Sequence, residues 1–352
     1  MASNKVTIES VEIKLKEILR EIPAISIIKT ATNVKISSSF LADIKLEISI
    51  NNKRKIIIVE IKSVGEPRYI RSAVQQLSFY LTKNIDAYGV IAAPYISEKT
   101  SEICKEANIG YLDFSGNCFL AFDAIYIKKE SFKSVISAKK EAKSLFSKKT
   151  SRILRVLLTN PEKVWTQMNL SHEAIVSLGL TNRIIKKLYN MEYVDFDQNR
   201  KILFKNPSKF LDLWRENYSY LDNEVKGLYS PLSYEEFEDR LTKYMFKKSK
   251  DRYAFTLFSG AALIAPFVRS KQTFFYFSGN LEHLKKEFEI KPVSSGANII
   301  ILTPYDEGVY YGTQKVKERN VVSNIQLYLD LYNYKGRGRE QAEYLREKAL
   351  KF

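Results

Sequence analysis

Leu41 to Ile50, LADIKLEISI, alternates apolar and polar side chains, and Lys55 to Ile61, KIIIVEI, is an apolar run. Alternation marks a strand with one wet face, and a short run of β-branched residues marks a buried one. The polar stretch Asn51-Asn52-Lys53-Arg54 between them predicts a turn, so the two runs read as one hairpin. A buried strand has little use for charge, yet this one ends in Glu60-Ile61-Lys62. Period-two alternation puts Glu60 and Lys62 on one face, with Ile61 pointing into the core on the other. A hairpin turning at 51–54 returns Asp43 to the neighbourhood of Glu60 and Lys62, at the same end of the ribbon. Two carboxylates and a lysine gathered there are what metal-assisted phosphodiester hydrolysis needs. Asp43 and Glu60 would hold Mg²⁺, with Mn²⁺ as a substitute, and the Ile61 carbonyl is a further ligand. An isolated Glu-x-Lys in a lysine-rich chain usually means only an edge salt bridge, so the surrounding order of elements decides.

That order is favourable. Residues 7–21 place Ile8, Val11, Leu15, Ile18 and Leu19 at helical spacing, with Glu12 flanking the apolar stripe. After Gly65-Glu66-Pro67, residues 68–83 read as a helix, 87–93 as a buried strand, 98–108 as a helix, and GYLDF and CFLAFDAIYI as two strands. The predicted α-β-β-β-α-β order makes residues 1–130 a mixed α/β domain.

Helix, Asp43 strand, Glu60-x-Lys62 strand and helix together resemble the PD-(D/E)XK nuclease superfamily. Gln76 and Tyr80, four apart on the following helix, fit the QxxxY pattern of its RecB-like branch. The resemblance implies a restriction-endonuclease-like fold and a Mg²⁺-dependent site. Its implied parts are Asp43 and Glu60 as metal carboxylates, Lys62 as the charge that orients water, Gln76 and Tyr80 near the site or the DNA, and Glu12 as a further metal ligand. The proline that often precedes the first aspartate is replaced by Ala42. Members of the superfamily also persist as binding scaffolds.

Residues 131–149, rich in lysine and serine, read as a linker. In 150–214 three helical patterns precede two short strand runs around Asp197-Gln198-Asn199, the order of a winged helix-turn-helix. On its third helix Leu180, Ile184, Ile185 and Leu188 are predicted to pack inward. Thr181, Asn182, Arg183, Lys186 and Lys187 are left to face DNA, and Arg200 and Lys201 stand on the wing. Trp165 reads as core.

Residues 215–352 read as a third, α/β domain. LFSGAALIAP predicts a strand end, a tight Ser259-Gly260 turn and a helix, resembling nucleotidyltransferase folds. The strand Thr273–Phe277 lacks the carboxylates that catalytic members carry there, so nucleotidyl transfer is not expected. SGAALIAPFVR, PVSSGANIIILTPYDEGVYY and VVSNIQLYLDLYNYKGRGREQAEYLRE resemble antitoxins of the type IV toxin–antitoxin AbiEi kind. That resemblance implies a repressor of its own operon with a nucleotidyltransferase-like toxin as partner. A nuclease-like domain in front of a central winged helix departs from the short antitoxins.

With 56 Lys and Arg against 40 Asp and Glu, the formal charge is +16, which suits a polyanionic partner such as double-stranded DNA. No run approaches the ~20 apolar residues of a membrane span, and no signal-peptide pattern opens the chain, so a cytoplasmic protein is expected. Cys104 and Cys118, with His172 and His283, have no zinc spacing and are expected as inert thiols. Two readings follow: a DNA-cutting enzyme directed by a winged helix, or a non-enzymatic regulator of the antitoxin kind. Dimerisation is left open.

Overall fold

The computed structural model of the protein describes residues 6–36, 41–131, 145–247, 251–350 and 352. Most of the expected linker, 132–144, lies outside the described residues. The chain is mixed α/β and divides into two compact units, Met1–Glu141 with Lys187–Glu192, and Ala142–Lys186 with Tyr193–Phe352.

In the first unit seven strands lie side by side in chain order: β1 (Ile25–Lys35), β2 (Leu41–Ile50), β3 (Lys53–Ile61), β4 (Ala87–Ala93), β5 (Gly110–Asp113), β6 (Cys118–Phe122) and β7 (Ile125–Lys129). Pairing is antiparallel from β1 to β3, parallel from β3 to β5 and antiparallel again to β7. The strand that joins both kinds of pairing is buried on both faces, with Ile57, Ile58 and Val59 all at 0% exposure. Helix α1 (Ile8–Arg20), started by a capping box between Thr7 and Ser10, contributes Val11, Leu15 and Leu19 to an apolar cluster with Leu46, Ile57 and Val59. Helices α2 (Pro67–Leu81) and α3 (Glu98–Glu106) bring Ile70, Leu77 and Ile103 into a second cluster with Ile58 and Ile91. Strand β1 falls where no strand was expected. It is a sheet edge, largely polar, and a register shift between Ile27 and Lys29 breaks its alternation. CFLAFDAIYI is two strands rather than one, parted at Asp123, whose φ is +49°. Cys104 and Cys118 are free and buried, and burial pushes their thiols up to about 12 and about 11.

The second unit opens with α4 (Lys148–Thr159), α5 (Gln167–Glu173) and α6 (Leu178–Asn190), whose last four residues are grouped with the first unit, then a hairpin of β8 (Val194–Phe196) and β9 (Ile202–Phe204). Trp165, 2% exposed, extends that hairpin by a bridge to Ile202. Helix α7 (Pro207–Glu216) leads to a mixed seven-stranded sheet. Its order is β13 (Lys291–Pro292), β10 (Glu224–Tyr229), β14 (Ile299–Thr303), β12 (Thr273–Ser278), β11 (Arg252–Phe255), β16 (Arg319–Val321), β15 (Gln314–Val316). The remaining helices are α8 (Tyr234–Phe246), α9 (Leu257–Ile264), α10 (Leu281–Glu287), α11 (Asn324–Tyr332) and α12 (Gly338–Ala349). The tight turn expected at Ser259-Gly260 is instead the interior of α9, and the chain reverses at Leu257, where φ is +47°. Gly260 serves close packing: a Cβ there would lie 2.9 Å from Leu327 and 3.1 Å from the Phe255 carbonyl.

One buried polar network joins residues expected in separate domains. Arg155 of α4, fully buried, donates to Gln326 (2.7 and 2.9 Å), Ser151 (2.7 Å) and Tyr305 (2.9 Å). Gln326 donates in turn to Asp330 at 2.8 Å. That carboxylate also accepts from Tyr218 (2.6 Å), Tyr276 (3.0 Å) and Thr256 (2.5 Å), so both of its oxygens are satisfied. Burial raises its pKa to about 6 against the pull of those hydrogen bonds. Removing the guanidinium would strand several buried acceptors at once. Arg155→Met is therefore expected to lower the unfolding free energy of the second unit by roughly 3 kcal/mol. Denaturant titration followed by tryptophan fluorescence checks this, and an unchanged midpoint would show that the network is not what holds α4 in place.

Candidate nuclease site and DNA-facing surface

The site begins with the turn of the β2–β3 hairpin. Asn51 and Asn52 both take left-handed backbone angles, φ +48° and +69°, which asparagine tolerates better than most residues. The turn therefore needs only two residues, Ile50 pairs with Lys53, and β3 starts two residues earlier than expected. That register runs to Ile44 opposite Val59, so its next pair would be Asp43 opposite Glu60. The ladder stops there. In place of a strand carbonyl, the Asp43 carboxylate accepts the Ile61 N–H at 2.6 Å. On the other edge of β3 the Lys62 N–H is donated to the Ala92 carbonyl of β4 at 2.8 Å. In a parallel ladder alternate residues bond to one neighbour, which leaves the Ile61 backbone facing β2. Ile61 was expected to matter through its carbonyl; its N–H, which holds Asp43, is a positioning group that no side-chain pattern reveals.

Glu60, Lys62 and Asp43 share one side of the sheet end. The Lys62 ammonium donates to Glu60 Oε1 at 2.7 Å. Glu60 is only 8% exposed, and its Oε2 is buried with no partner. Burial raises the Glu60 pKa, the Lys62 bond and charge lower it, and the nearby Asp43 charge raises it again. A buried carboxylate oxygen without a donor, next to a second carboxylate, suits a hard cation. Asp43, Glu60 and the Ile61 carbonyl fit Mg²⁺ or Mn²⁺. Mg²⁺ often takes only one or two protein carboxylates and fills the rest of its shell with water and phosphate.

The connection to α2 passes tightly behind this end. A Cβ on Gly65 would lie 1.8 Å from the Tyr95 carbonyl oxygen, so only glycine fits there, and Pro67 then starts the helix. On α2 Gln76 is exposed, and Tyr80, one turn on, is half-buried against the apolar cluster beneath the helix. Glu12 does not join the site. It pairs with Lys16 at 2.5 Å on α1, whose apolar face packs into the cluster containing Ile57 and Val59 rather than the one containing Ile58. Among the described residues no three His, Cys, Asp or Glu side chains come together to hold a metal.

On α6 Asn182, Arg183 and Lys186 are exposed, Lys187 is half-buried, and Arg200 and Lys201 are exposed at the hairpin turn. Thr181 is a correction: it is fully buried and its hydroxyl donates back to the Ser177 carbonyl at 3.2 Å, so it cannot face DNA. Ile184, Ile185 and Leu188 are buried as expected, whereas Leu180 is half-exposed. Among the described residues no helix is long and apolar enough to cross a membrane.

Residues 202–351 match the family model of a transcriptional regulator, the AbiEi antitoxin of type IV toxin–antitoxin systems. No curated protein matches the chain. Among solved structures, EndoMS in complex with double-stranded DNA is similar at 11% identity and a TM-score of 0.25, over 32% of this chain and 46% of that one. A repair endonuclease from Pyrococcus abyssi is similar at 12% identity and a TM-score of 0.23, over 32% and 49%. The chain thus spans about half the length of these structures, and likeness at this level carries no argument about activity.

The buried Glu60 also has a consequence for stability. Its folded pKa is raised, so its burial costs nothing below the unfolded value of 4.5 and costs more as pH rises through the folded value. Glu60→Gln, measured in EDTA, is expected to raise the melting temperature by a few degrees at pH 7 and by much less near pH 4. A lower melting temperature at pH 7 would mean that the Lys62 pairing outweighs burial.

Proposed function

We propose that this chain is a DNA-binding protein whose first unit hydrolyses DNA phosphodiester bonds with Mg²⁺. The observation that carries the proposal is the buried, unpartnered Oε2 of Glu60 beside Asp43. Mg²⁺, or Mn²⁺ in its place, would be held by Asp43, Glu60 and the Ile61 carbonyl. When bound, it supplies Lewis-acid polarisation of a phosphoryl oxygen and a more acidic water. The Ile61 N–H holds the Asp43 carboxylate at the end of the β2–β3 ladder. The Lys62 ammonium, resting on Glu60, offers donors to the attacking water or to a phosphate oxygen. Gln76 and Tyr80, four apart on α2, would contact the DNA backbone. The helices α4–α6 and the β8–β9 hairpin form a winged helix that holds the duplex through Asn182, Arg183, Lys186, Arg200 and Lys201.

Supercoiled plasmid should be nicked in Mg²⁺ or Mn²⁺ but not in EDTA. Asp43→Asn, Glu60→Gln and Lys62→Ala should each lower the rate at least a hundredfold, while duplex affinity stays within about twofold, because that affinity resides in the basic surface. Wild-type cutting by all three variants would place the chemistry elsewhere.

The regulator-family match over 202–351 favours a second reading. In it the chain represses its own operon, opposes a nucleotidyltransferase-like toxin, and uses the first unit as a scaffold. That reading predicts a discrete DNase footprint upstream of the gene, lost in Arg183→Ala/Lys186→Ala. Binding without sequence preference at moderate salt would count against it.

A further inference from the structure

The α5–α6 connection presents apolar side chains to solvent within a basic surface. Ile175 is 77% exposed and Leu178, opening α6, is 41% exposed. Ile175 also holds φ at +52°, a conformation that β-branched residues rarely adopt. The next residue after Leu178 is Gly179, and nothing lies within 4 Å of where its Cβ would stand. Glycine weakens a helix, and no neighbour within the fold requires one here. Along α6, Leu178, Asn182 and Lys186 recur every four residues, with Gly179 and Arg183 in the adjoining row. All five are exposed. One face of the helix is thus apolar and bare at its start and amide-bearing and cationic further on. With Thr181 buried, this strip is the part of α6 that remains to meet base edges.

The cations select a polyanion as the occupant of this face. Among base pairs, those of adenine and thymine carry an apolar group in the major groove, the thymine 5-methyl. Resting on the winged-helix reading, we infer that Ile175 and Leu178 contact thymine methyl groups in the major groove of A·T-containing DNA. Gly179 lets the groove wall approach the helix backbone, and Arg183 and Lys186 hold the flanking phosphates.

The test compares two short duplexes, alternating dA-dT and alternating dA-dU, which differ only in the 5-methyl. Affinity is measured by fluorescence anisotropy in EDTA, so that no cutting intervenes. The wild-type chain is expected to bind the dA-dU duplex about tenfold more weakly. Ile175→Gly, which keeps the left-handed angle and removes the side chain, and Leu178→Ala should bind both duplexes at that weaker level. Gly179→Ala should raise the melting temperature, as alanine does in a helix, yet weaken binding to both duplexes. Equal wild-type affinity for the two duplexes would overturn the inference and leave DNA binding by the winged helix standing. Wild-type failure to bind either duplex would overturn both.

Discussion

The register of the β2–β3 hairpin is the constraint from which the candidate site follows. Two asparagines in left-handed conformation close the turn in two residues, and the ladder then carries Asp43 to the position opposite Glu60. Side chains alternate across a sheet, so a slip of one residue would turn Asp43 into the core and expose Ile44, which is fully buried. The apolar face of β2 and the turn chemistry therefore enforce the same register. Where the ladder ends, the Asp43 carboxylate replaces a strand carbonyl as acceptor for Ile61, and this substitution fixes its direction.

Asp330 in the second unit and Glu60 in the first are buried carboxylates with different surroundings. Asp330 lies in a closed network: two tyrosines, a threonine and a glutamine satisfy both oxygens, and Arg155 stands one hydrogen bond further on. Such a group is complete and leaves no position for a ligand. Glu60 is 8% exposed against 0% for Asp330, yet one of its oxygens has no donor and a single lysine accompanies the other. An unmet acceptor of that kind is costly to retain unless a cation can complete it. The contrast separates a structural acid from a candidate ligand more sharply than burial alone.

Strand β12 contributes Phe274, Phe275 and Phe277 to the core, and its Tyr276 hydroxyl donates to Asp330. Helix α4 is tied to α11 by the same network. Helix α4 and the C-terminal sheet thus share interior polar groups.

The sequence by itself determined the elements whose periodicity is regular: α1, the hairpin strands, α2, β4 and the three helices before the β8–β9 hairpin. Alternation placed Glu60 and Lys62 on one face, because a strand's period of two depends on nothing outside it. It could not determine β1, a polar edge strand with a bulge, since edge strands lack the buried face that writes a pattern. Nor could it tell that Glu12 stays with Lys16 on α1, because the cluster into which α1 packs is decided by tertiary structure. Thr181 turns inward and donates to the Ser177 carbonyl, and Gly260 packs against Leu327, distant in sequence. Local spacing fixed which residue types meet, and tertiary packing decided which of their atoms are left without a partner.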